Sequence, residues 1–187
     1  TEDDEIFSKK LASLCDIYIN DAFSCCHRKQ GSIHNITKFA KESFAGPLIK
    51  KEINSINLIT KNKKEPVTCI IGGSKISTKI NIIKKLIKMV DNLVIVGAMA
   101  NNFLLFKKYK IGNSLVEKNI DETVRIIYEI AKNEKCNIII PEDCKVGADF
   151  FAKGENKNFN DINNNEMILD VGPKTVETIC KVIDYSN

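Results

Sequence analysis

The chain has 187 residues, which is enough for one large domain or for parts of two. Hydrophobic residues make up 43% of it and charged residues 28%, which is ordinary for a soluble globular protein. No segment approaches the roughly 20 apolar residues of a membrane span, so no membrane partner is expected. The N-terminus TEDDEIFSKK has neither an initiator Met nor a secretory signal, so we expect a cytoplasmic protein and a piece of a longer chain.

The net charge of +4 comes mainly from lysines, and the arginines are Arg28 and Arg125. The lysines alternate with acidic residues, as they do on solvated helix faces. Nucleic-acid-binding surfaces instead concentrate basic residues on one face, often beside stacking aromatic side chains. We therefore expect no nucleic-acid partner.

The cysteines are odd in number and form no C-x-x-C pair, which is typical of reduced thiols in the cytosol. There are seven of them: Cys15, Cys25, Cys26, Cys69, Cys136, Cys144 and Cys180. With only two histidines in the chain, we expect no metal site.

Helical and strand-like periodicities alternate along the chain. In chain order the predicted elements are helix Glu5–Leu14, strand Asp16–Ile19, loop Ala22–Ile36, helix Leu48–Ile59, strand Val67–Ile71, helix Ile76–Val90, strand Leu93–Val96, helix Met99–Lys107, helix Asp121–Asn133, strand Asn137–Ile140, an Asn-rich loop around 156–165, strand Met167–Val171 and helix Pro173–Ile183. This alternation predicts an α/β fold in which parallel sheets are covered by flanking helices, a Rossmann-like three-layer architecture.

Buried side chains are predicted for two of these helices. The expected buried sides are Ile6, Leu11 and Leu14 in the first helix, and Ile76, Ile80, Ile83, Ile87 and Val90 in the helix after the second strand. Gly46-Pro47 marks a boundary because Pro suits the first position of a helix, and the run Lys61–Lys64 is expected to end that helix. We therefore divide the chain into residues 1–46, a helix and linker at 47–65, and residues 66–187.

The segment CIIGGSKISTKI carries the strongest functional signal. Gly72 and Gly73 follow a predicted strand, at the end where open α/β sheets bind ligands, and glycine lets backbone N–H groups approach an anion. Lys75 and Lys79 are expected one turn apart on one helix face. Cations at a helix N-terminus cost about 0.3–1 kcal/mol, which a bound phosphate would reverse. The pattern predicts a phosphate site; because no complete P-loop or dinucleotide fingerprint is present, a tight turn with solvent-exposed lysines is the alternative.

The segment DIYINDAFSCCHR runs from a predicted strand into a loop. Arg28 has a planar guanidinium that can bind a phosphate or carboxylate through two hydrogen bonds, and His27 lies beside it. Two alternatives remain open: an incidental surface arginine, or a nucleophilic Cys25 or Cys26, for which the sequence indicates no separate base.

In this order and at this separation, the two segments resemble the phosphoglycerate kinase family. DIYINDAFSCCHR is similar to the family's D-V-Y-V-N-D-A-F-G-x-x-H-R, and CIIGGSKISTKI is similar to its L-G-G-A/S-K-V-S-x-K-I. The likeness continues in AGPLIKKEI, LVIVGAMANNFL, IGNSLV, IIIPED and LDVGPKT. It covers nearly the whole chain but only the middle of the longer family chain, which implies an incomplete two-domain phosphoglycerate kinase fold.

The resemblance implies phosphoryl transfer between ATP and 3-phosphoglycerate in glycolysis, with Mg²⁺ accompanying ATP or ADP. Residues 1–46 would end the substrate domain, helix Leu48–Ile59 would connect the domains, and residues 66–187 would begin the nucleotide domain. In the substrate domain, Arg28 would contact the phosphate of the substrate, with His27 beside it.

The resemblance also assigns roles around the double glycine. Lys75 would neutralise the phosphoryl group in flight, and Lys79 would hold the phosphates of the nucleotide. The residues expected against the nucleotide are Gly72, Gly73, Ser74, Lys75, Lys79 and Gly97. Lys75 and Arg28 are thus the expected catalytic residues.

Some residues depart from the family pattern. Val96 and Ala98 replace glycines of its G-G-G-M-A stretch, while Glu166 and Ile168 replace the tryptophan and glycine of W-M-G-L-D. The side chain of Ile168 would occupy space that adenine needs. These changes support a second hypothesis, a non-catalytic nucleotide- or anion-binding module or a relic of the kinase. A third is an unrelated α/β nucleotide-binding protein.

The family segments without a match include strands of both domains. Sheets that lack strands expose unpaired edges and apolar faces. We therefore expect uncovered apolar surface on this chain, and a complementing chain as a further partner.

Overall fold

The structure is a computed structural model that describes residues 2–61 and 64–186, without the side chain of Ile59. The chain divides into two units, Thr1–Lys63 and Lys64–Asn187. No helix within the described residues is both long enough and apolar enough to cross a membrane.

The first unit combines helices with a pair of parallel strands. Its elements are α1 (Glu5–Ala12), β1 (Ile17–Asn20), α2 (Ile36–Phe39), β2 (Glu42–Ala45) and α3 (Pro47–Lys61). Pro47 opens α3 as predicted, and the N–H of Ile49 donates to the carboxylate of Asp21 at 2.9 Å. The end of β1 is thereby tied to the start of α3. Of the lysine run expected to end α3, residues 62 and 63 lie outside the described residues.

The predicted buried side of α1 is wrong at Ile6 and Leu14, while Leu11 is partly buried. Ile6 is 68% exposed and Leu14 81% exposed, whereas Ser8 and Ala12 are buried. Ser8 tolerates burial because its hydroxyl donates to the carbonyl of Gly31 at 3.0 Å. Other exposed apolar side chains of this unit include Phe7, Ile17, Ile19 and Phe44. The expectation of uncovered apolar surface is confirmed for this unit.

The second unit contains a parallel sheet in the order β3-β4-β5. Its strands are β3 (Thr68–Gly72), β4 (Asn92–Val96) and β5 (Asn137–Ile139), and its helices are α4 (Ile80–Ile87), α5 (Ala98–Phe106) and α6 (Asp121–Asn133). Buried apolar side chains fill the core, among them Ile83, Ile87, Leu93, Ile95, Phe103, Val124 and Ile127. The predicted α/β class with parallel sheets and flanking helices is confirmed.

Helix α4 begins four residues later than predicted. The predicted apolar side is nevertheless correct, because Ile76, Ile83, Ile87 and Val90 are buried and Ile80 is partly buried. Residues 76–79 form a turn, in which the N–H of Lys79 donates to the carbonyl of Ile76 at 2.8 Å. An apolar period therefore located the buried side chains but not the first helical residue.

A separate antiparallel sheet completes the second unit. It has the order β7-β6-β8, formed by β6 (Cys144–Gly147), β7 (Glu155–Lys157) and β8 (Met167–Val171), and α7 (Pro173–Asp184) follows it. The bounds predicted for β8 are confirmed, but this strand does not join the parallel sheet. The strands β6 and β7 escape sequence analysis because they are short and β7 consists of polar residues.

Candidate functional site

Two strand-to-helix turns meet at the carboxyl ends of β3 and β4. Gly72 pairs with Val96 in the sheet register, and the N–H of Met99 donates to the carbonyl of Gly73 at 2.7 Å. Gly97 has a φ of 69°, and a β-carbon there would lie 3.3 Å from the backbone nitrogen of Gly73. Glycine is required at Gly97 both by the left-handed backbone and by this close approach.

Lys79 lies over this pair of turns. It is the residue that precedes α4, and its side chain is partly buried. A β-carbon built on Gly73 would lie 3.2 Å from both Cε and Nζ of Lys79. The ammonium group therefore lies against the backbone at the carboxyl end of β3, which is where an α/β sheet binds its ligand.

Lys75 occupies a different setting from the one predicted. It lies ahead of α4, so it does not share a helix face with Lys79, and its side chain is exposed. The backbone takes another course because the N–H groups of Ile76 and Ser77 donate to the carboxylate of Glu117, at 2.6 and 3.1 Å. Lys79 therefore lies against the turn, while Lys75 lies on the exposed part of segment 74–79.

The electrostatics of Lys75 involve the same carboxylate. Partial burial raises the pKa of Glu117. Three hydrogen bonds outweigh this effect, from the hydroxyl and N–H of Ser77 and from the N–H of Ile76. The charge of Lys75 acts in the same direction, so the pKa is lowered overall. Glu117 is therefore ionised at neutral pH. Sequence analysis missed this residue, although it directly follows the family-like IGNSLV.

An apolar cavity of about 180 Å³ opens beside Gly97. Its wall is formed by residues from α5, β6 and β8 and from the loops between them: Ala98, Ala100, Asn101, Leu104, Pro141, Cys144, Phe150, Phe159, Ile168, Leu169, Asp170 and Val171. Ile168 contributes to this wall. Gly97 therefore borders the lysine-bearing turn on one side and an apolar cavity on the other.

Arg28 and His27 lie in the first unit, where their side chains are exposed. They border a cavity of about 380 Å³ that is also lined by Asn20, Cys26, Lys29, Ile33, His34 and Thr37. The loop is shaped by short-range hydrogen bonds, including one from the N–H of Arg28 to the carbonyl of Cys25 at 2.9 Å. Lys29 adds a second positive charge to the lining of this cavity, and Nδ1 of His34 lies 2.6 Å from the carboxylate of Asp3; neither Lys29 nor His34 was singled out from the sequence.

The predicted site residues thus fall into two groups. Gly72, Gly73, Lys79 and Gly97 come together in the second unit, with the exposed Ser74 and Lys75 on the adjoining segment. Arg28 and His27 form the other group, in the first unit. The thiol of Cys25, the candidate nucleophile beside them, lies 3.5 Å from the carbonyl of Ala22.

Comparison with known proteins identifies the family. The family model for phosphoglycerate kinase matches residues 1–187. The chain belongs to the phosphoglycerate kinase family. Phosphoglycerate kinases from Wolbachia pipientis subsp. Culex pipiens (strain wPip) and Legionella pneumophila (strain Corby) are 43% and 38% identical to it over 186 residues. These alignments cover 99% and 98% of this chain but 47% of each relative, so the chain spans about half their length.

Solved phosphoglycerate kinases have the same fold over the same share. The structure from Coxiella burnetii aligns with a TM-score of 0.82 at 34% identity, covering 98% of this chain and 48% of that one. The crystal structure from Pyrococcus horikoshii OT3 aligns with a TM-score of 0.78 at 22% identity, covering 100% of this chain and 49% of that one. The first comparison supports the family, and the second supports the fold alone.

Proposed function

We propose that this chain takes part in phosphoryl transfer between ATP and 3-phosphoglycerate, and that residues 66–187 begin the domain that binds the nucleotide. The observation that carries the proposal is the ammonium of Lys79, held against the Gly73 backbone beside Gly97. A positive charge fixed at the carboxyl end of a parallel strand is suited to the phosphates of a nucleotide. The adjacent apolar cavity, of about 180 Å³, is the proposed site of its base.

The chemistry assigned to the lysines follows from what phosphoryl transfer requires. The reaction depends on positioning and charge compensation more than on covalent chemistry by the protein. Lys79 would hold the nucleotide phosphates, with Gly72, Gly73 and Ser74 lining the approach. Lys75, on the exposed segment, would neutralise the transferred phosphoryl group. Mg²⁺ enters with ATP or ADP as part of the substrate.

The second substrate is assigned to the first unit. Arg28 and His27 border a cavity that is also lined by Lys29, so two positive charges, those of Arg28 and Lys29, lie around it. A guanidinium binds phosphate through two parallel hydrogen bonds, so Arg28 is the proposed contact to the phosphate of 3-phosphoglycerate. The residues preceding α3 would then belong to the substrate domain, and α3 would connect it to the nucleotide domain.

Calorimetric titration with ADP tests the nucleotide part of this proposal. Lys79→Met should weaken ADP binding at least about 10-fold, because a hydrogen bond to a charged group contributes about 1.5–3 kcal/mol. Lys85→Met removes the same charge from an exposed position in the last turn of α4 and should leave the affinity unchanged. Equal effects of the two substitutions, or affinity that ignores ionic strength, would contradict the proposal.

Turnover is tested separately. Formation of 1,3-bisphosphoglycerate should be undetectable with this chain alone and should appear when the unmatched half of a relative is supplied as a second chain. The recovered activity should be lost in Lys75→Ala. Failure to recover activity with a soluble, bound complement would remove the catalytic branch of the proposal.

A non-catalytic binding module is the second candidate. It is favoured by Ile168, which contributes a branched side chain to the wall of the apolar cavity. Binding of ADP without any turnover in the complemented assay would support this candidate over the kinase.

A further inference from the structure

The segment that carries both lysines is held in place by a side chain from elsewhere in the chain. Residues 74–79 form bends and turns and precede α4, so their N–H groups are not committed to a helix. The N–H groups of Ile76 and Ser77 instead donate to Oε2 of Glu117, which lies 41 and 40 positions further along the chain. The hydroxyl of Ser77 donates to the other oxygen, Oε1. One carboxylate thus receives three hydrogen bonds from two consecutive residues between the lysines.

Glu117 is itself fixed to the interior. Its N–H donates at 2.9 Å to the side-chain oxygen of Asn102, which lies on α5 and is 1% exposed. The neighbouring Asn101, also buried, donates to the carbonyl of Leu115 at 3.0 Å and holds the preceding part of the same loop. Glu117 therefore presents its carboxylate from a backbone that is anchored on a buried helix.

The same helix anchors the other end of the lysine segment. The N–H of Met99, in the first turn of α5, donates to the carbonyl of Gly73. The segment 74–79 is thus connected to α5 in two places. Gly73, which precedes it, bonds directly to α5, and Ile76 and Ser77 are connected to α5 through Glu117. The side chain of Ile76 is fully buried, which adds a third attachment.

The charge of Glu117 matters as well as its shape. Its carboxylate faces the positive charge of Lys75, and this attraction opposes the repulsion between two ammonium groups on one short segment. A hydrogen bond to an ionised group is stronger than one between neutral groups, so the carboxylate is a firm anchor. After its removal, the N–H groups of Ile76 and Ser77 would lose this charged acceptor.

We propose that Glu117 is a positioning residue of the nucleotide site, which holds segment 74–79 so that Lys75 and Lys79 meet the phosphates of the nucleotide. The inference rests on the proposed function, because it assumes that these lysines bind phosphate. Glu117 acts through the segment and not by contact with the ligand. Its loss should therefore affect the phosphates and spare the base and ribose.

The test compares two ligands on three variants. Glu117→Ala should weaken ADP binding about 10-fold in calorimetry while leaving adenosine binding within about 2-fold, because only ADP carries phosphates. Glu117→Gln keeps an acceptor oxygen for the two N–H groups but loses the charge, so its ADP affinity should lie between those of the parent and of Glu117→Ala. Glu134→Ala, at the end of α6, removes the same charge from the same unit and should change neither affinity.

Hydrogen exchange provides a readout that needs no ligand. The amides of Ile76 and Ser77 should be protected in the parent and in Glu117→Gln, and should exchange at least about 10-fold faster in Glu117→Ala. Unchanged exchange, unchanged ADP affinity, or an equal loss of ADP and adenosine binding in Glu117→Ala would each overturn the inference. If the parent chain binds neither ADP nor adenosine, the proposed function fails. Hydrogen exchange at the amides of Ile76 and Ser77 then decides by itself whether Glu117 holds segment 74–79.

Discussion

The side chain of Lys79 lies directly over the backbone of Gly73. A β-carbon on Gly73 would be 3.2 Å from Nζ, which is closer than ordinary van der Waals contact. The φ of Gly73 is 149°, a conformation that residues with a side chain rarely adopt. Any other residue at position 73 would therefore be unfavourable for two reasons. Its backbone would be strained, and its β-carbon would displace the ammonium group of Lys79.

Gly73→Ala should weaken ADP binding as well as lower stability. We expect the free energy of unfolding to fall by about 1–3 kcal/mol, the usual cost of a residue held in such a backbone conformation. The displaced ammonium should reduce ADP affinity at least about 5-fold, because a charge-assisted contact is lost. Urea denaturation and calorimetry measure the two effects.

Gly154→Ala is the matched control for this substitution. Gly154 has a φ of 73°, and the atoms nearest to an added β-carbon belong to the flexible side chain of Lys145. We expect a similar loss of stability with unchanged ADP affinity. If both substitutions reduced ADP affinity equally, the effect of Gly73→Ala would reflect backbone strain and not the displacement of Lys79.

The apolar cavity offers a test of nucleotide fit at Ile168. Ile168→Gly removes a branched side chain from the cavity wall and restores the residue found in the family pattern. We expect tighter ADP binding, by about 3-fold or more, with unchanged pyrophosphate binding, since the change affects only the base. Substitution of Ile183, an exposed apolar residue near the end of α7, by Gly should not improve ADP binding. An unaltered ADP affinity in Ile168→Gly would argue against the cavity as the base site.

Asp143 should make stability depend on pH. Asp143 is 5% exposed, and its carboxylate accepts hydrogen bonds from the N–H groups of Lys174 and Thr175, at 3.0 and 2.8 Å, at the start of α7. Burial raises its pKa, but the hydrogen bonds from Thr175 and Lys174 and the charge of Lys174 outweigh it and lower the pKa below the ordinary value of 3.8. We expect Asp143→Asn to reduce the free energy of unfolding by about 1.5–3 kcal/mol at neutral pH, because the amide cannot accept both bonds.

The sign of the pH effect follows from the lowered pKa. The stabilisation by ionised Asp143 is fully present above pH 3.8 and is lost as the pH falls through the lower pKa of the folded state. The stability difference between the parent and Asp143→Asn should therefore narrow below pH 3.8, as measured by urea denaturation across the acid range. Asp149→Asn, in an exposed loop, should change stability by less than about 0.5 kcal/mol. If the stability difference between the parent and Asp143→Asn stayed constant below pH 3.8, the charge of Asp143 would not contribute to stability.

The cysteines should divide into reactive and inert groups. Burial raises the pKa of Cys136 to about 11 and that of Cys144 to about 12, with further contributions from the charges of Asp91 and Asp143. Iodoacetamide at pH 8 should label the exposed Cys26 and Cys180 at least about 100-fold faster than these two, because the thiolate is the reactive form. Mass spectrometry of peptides gives the labelling rate of each cysteine. In urea, where the chain is unfolded, all four cysteines should be labelled at similar rates. Rapid labelling of Cys144 in the folded protein would contradict its burial.

The strands of the parallel sheet were predictable from sequence. Each strand is a short apolar run that ends at glycine, proline or a polar residue, and these signals are local. The start of α3 at Pro47 is a local signal of the same kind. The double glycine lies at the carboxyl end of β3, as the sequence predicted, because close approach of the backbone at Gly97 and Gly73 requires residues without a side chain.

The remaining features depend on contacts that periodicity does not contain. Glu117 redirects the backbone at Ile76 through hydrogen bonds across 41 positions, so the apolar pattern predicted a helical turn that does not form. The strands β6 and β7 are defined by pairing with each other, and β6 also pairs with β8. They have only four and three residues, too few for a periodicity to stand out. Part of the prediction for the buried side of α1 was wrong because Ser8 can be buried: its hydroxyl donates to the carbonyl of Gly31, 23 positions away.

Helix α5 has a role that follows from its contacts on two sides. Ala98, Ala100 and Leu104 border the apolar cavity, while Met99 and Asn102 hold the lysine segment. A base that shifts α5 on entering the cavity would shift the ammonium groups with it. If bound adenosine raises the affinity for pyrophosphate by some factor, thermodynamic linkage requires that bound pyrophosphate raises the affinity for adenosine by the same factor. We expect the two halves of a nucleotide to bind this chain cooperatively.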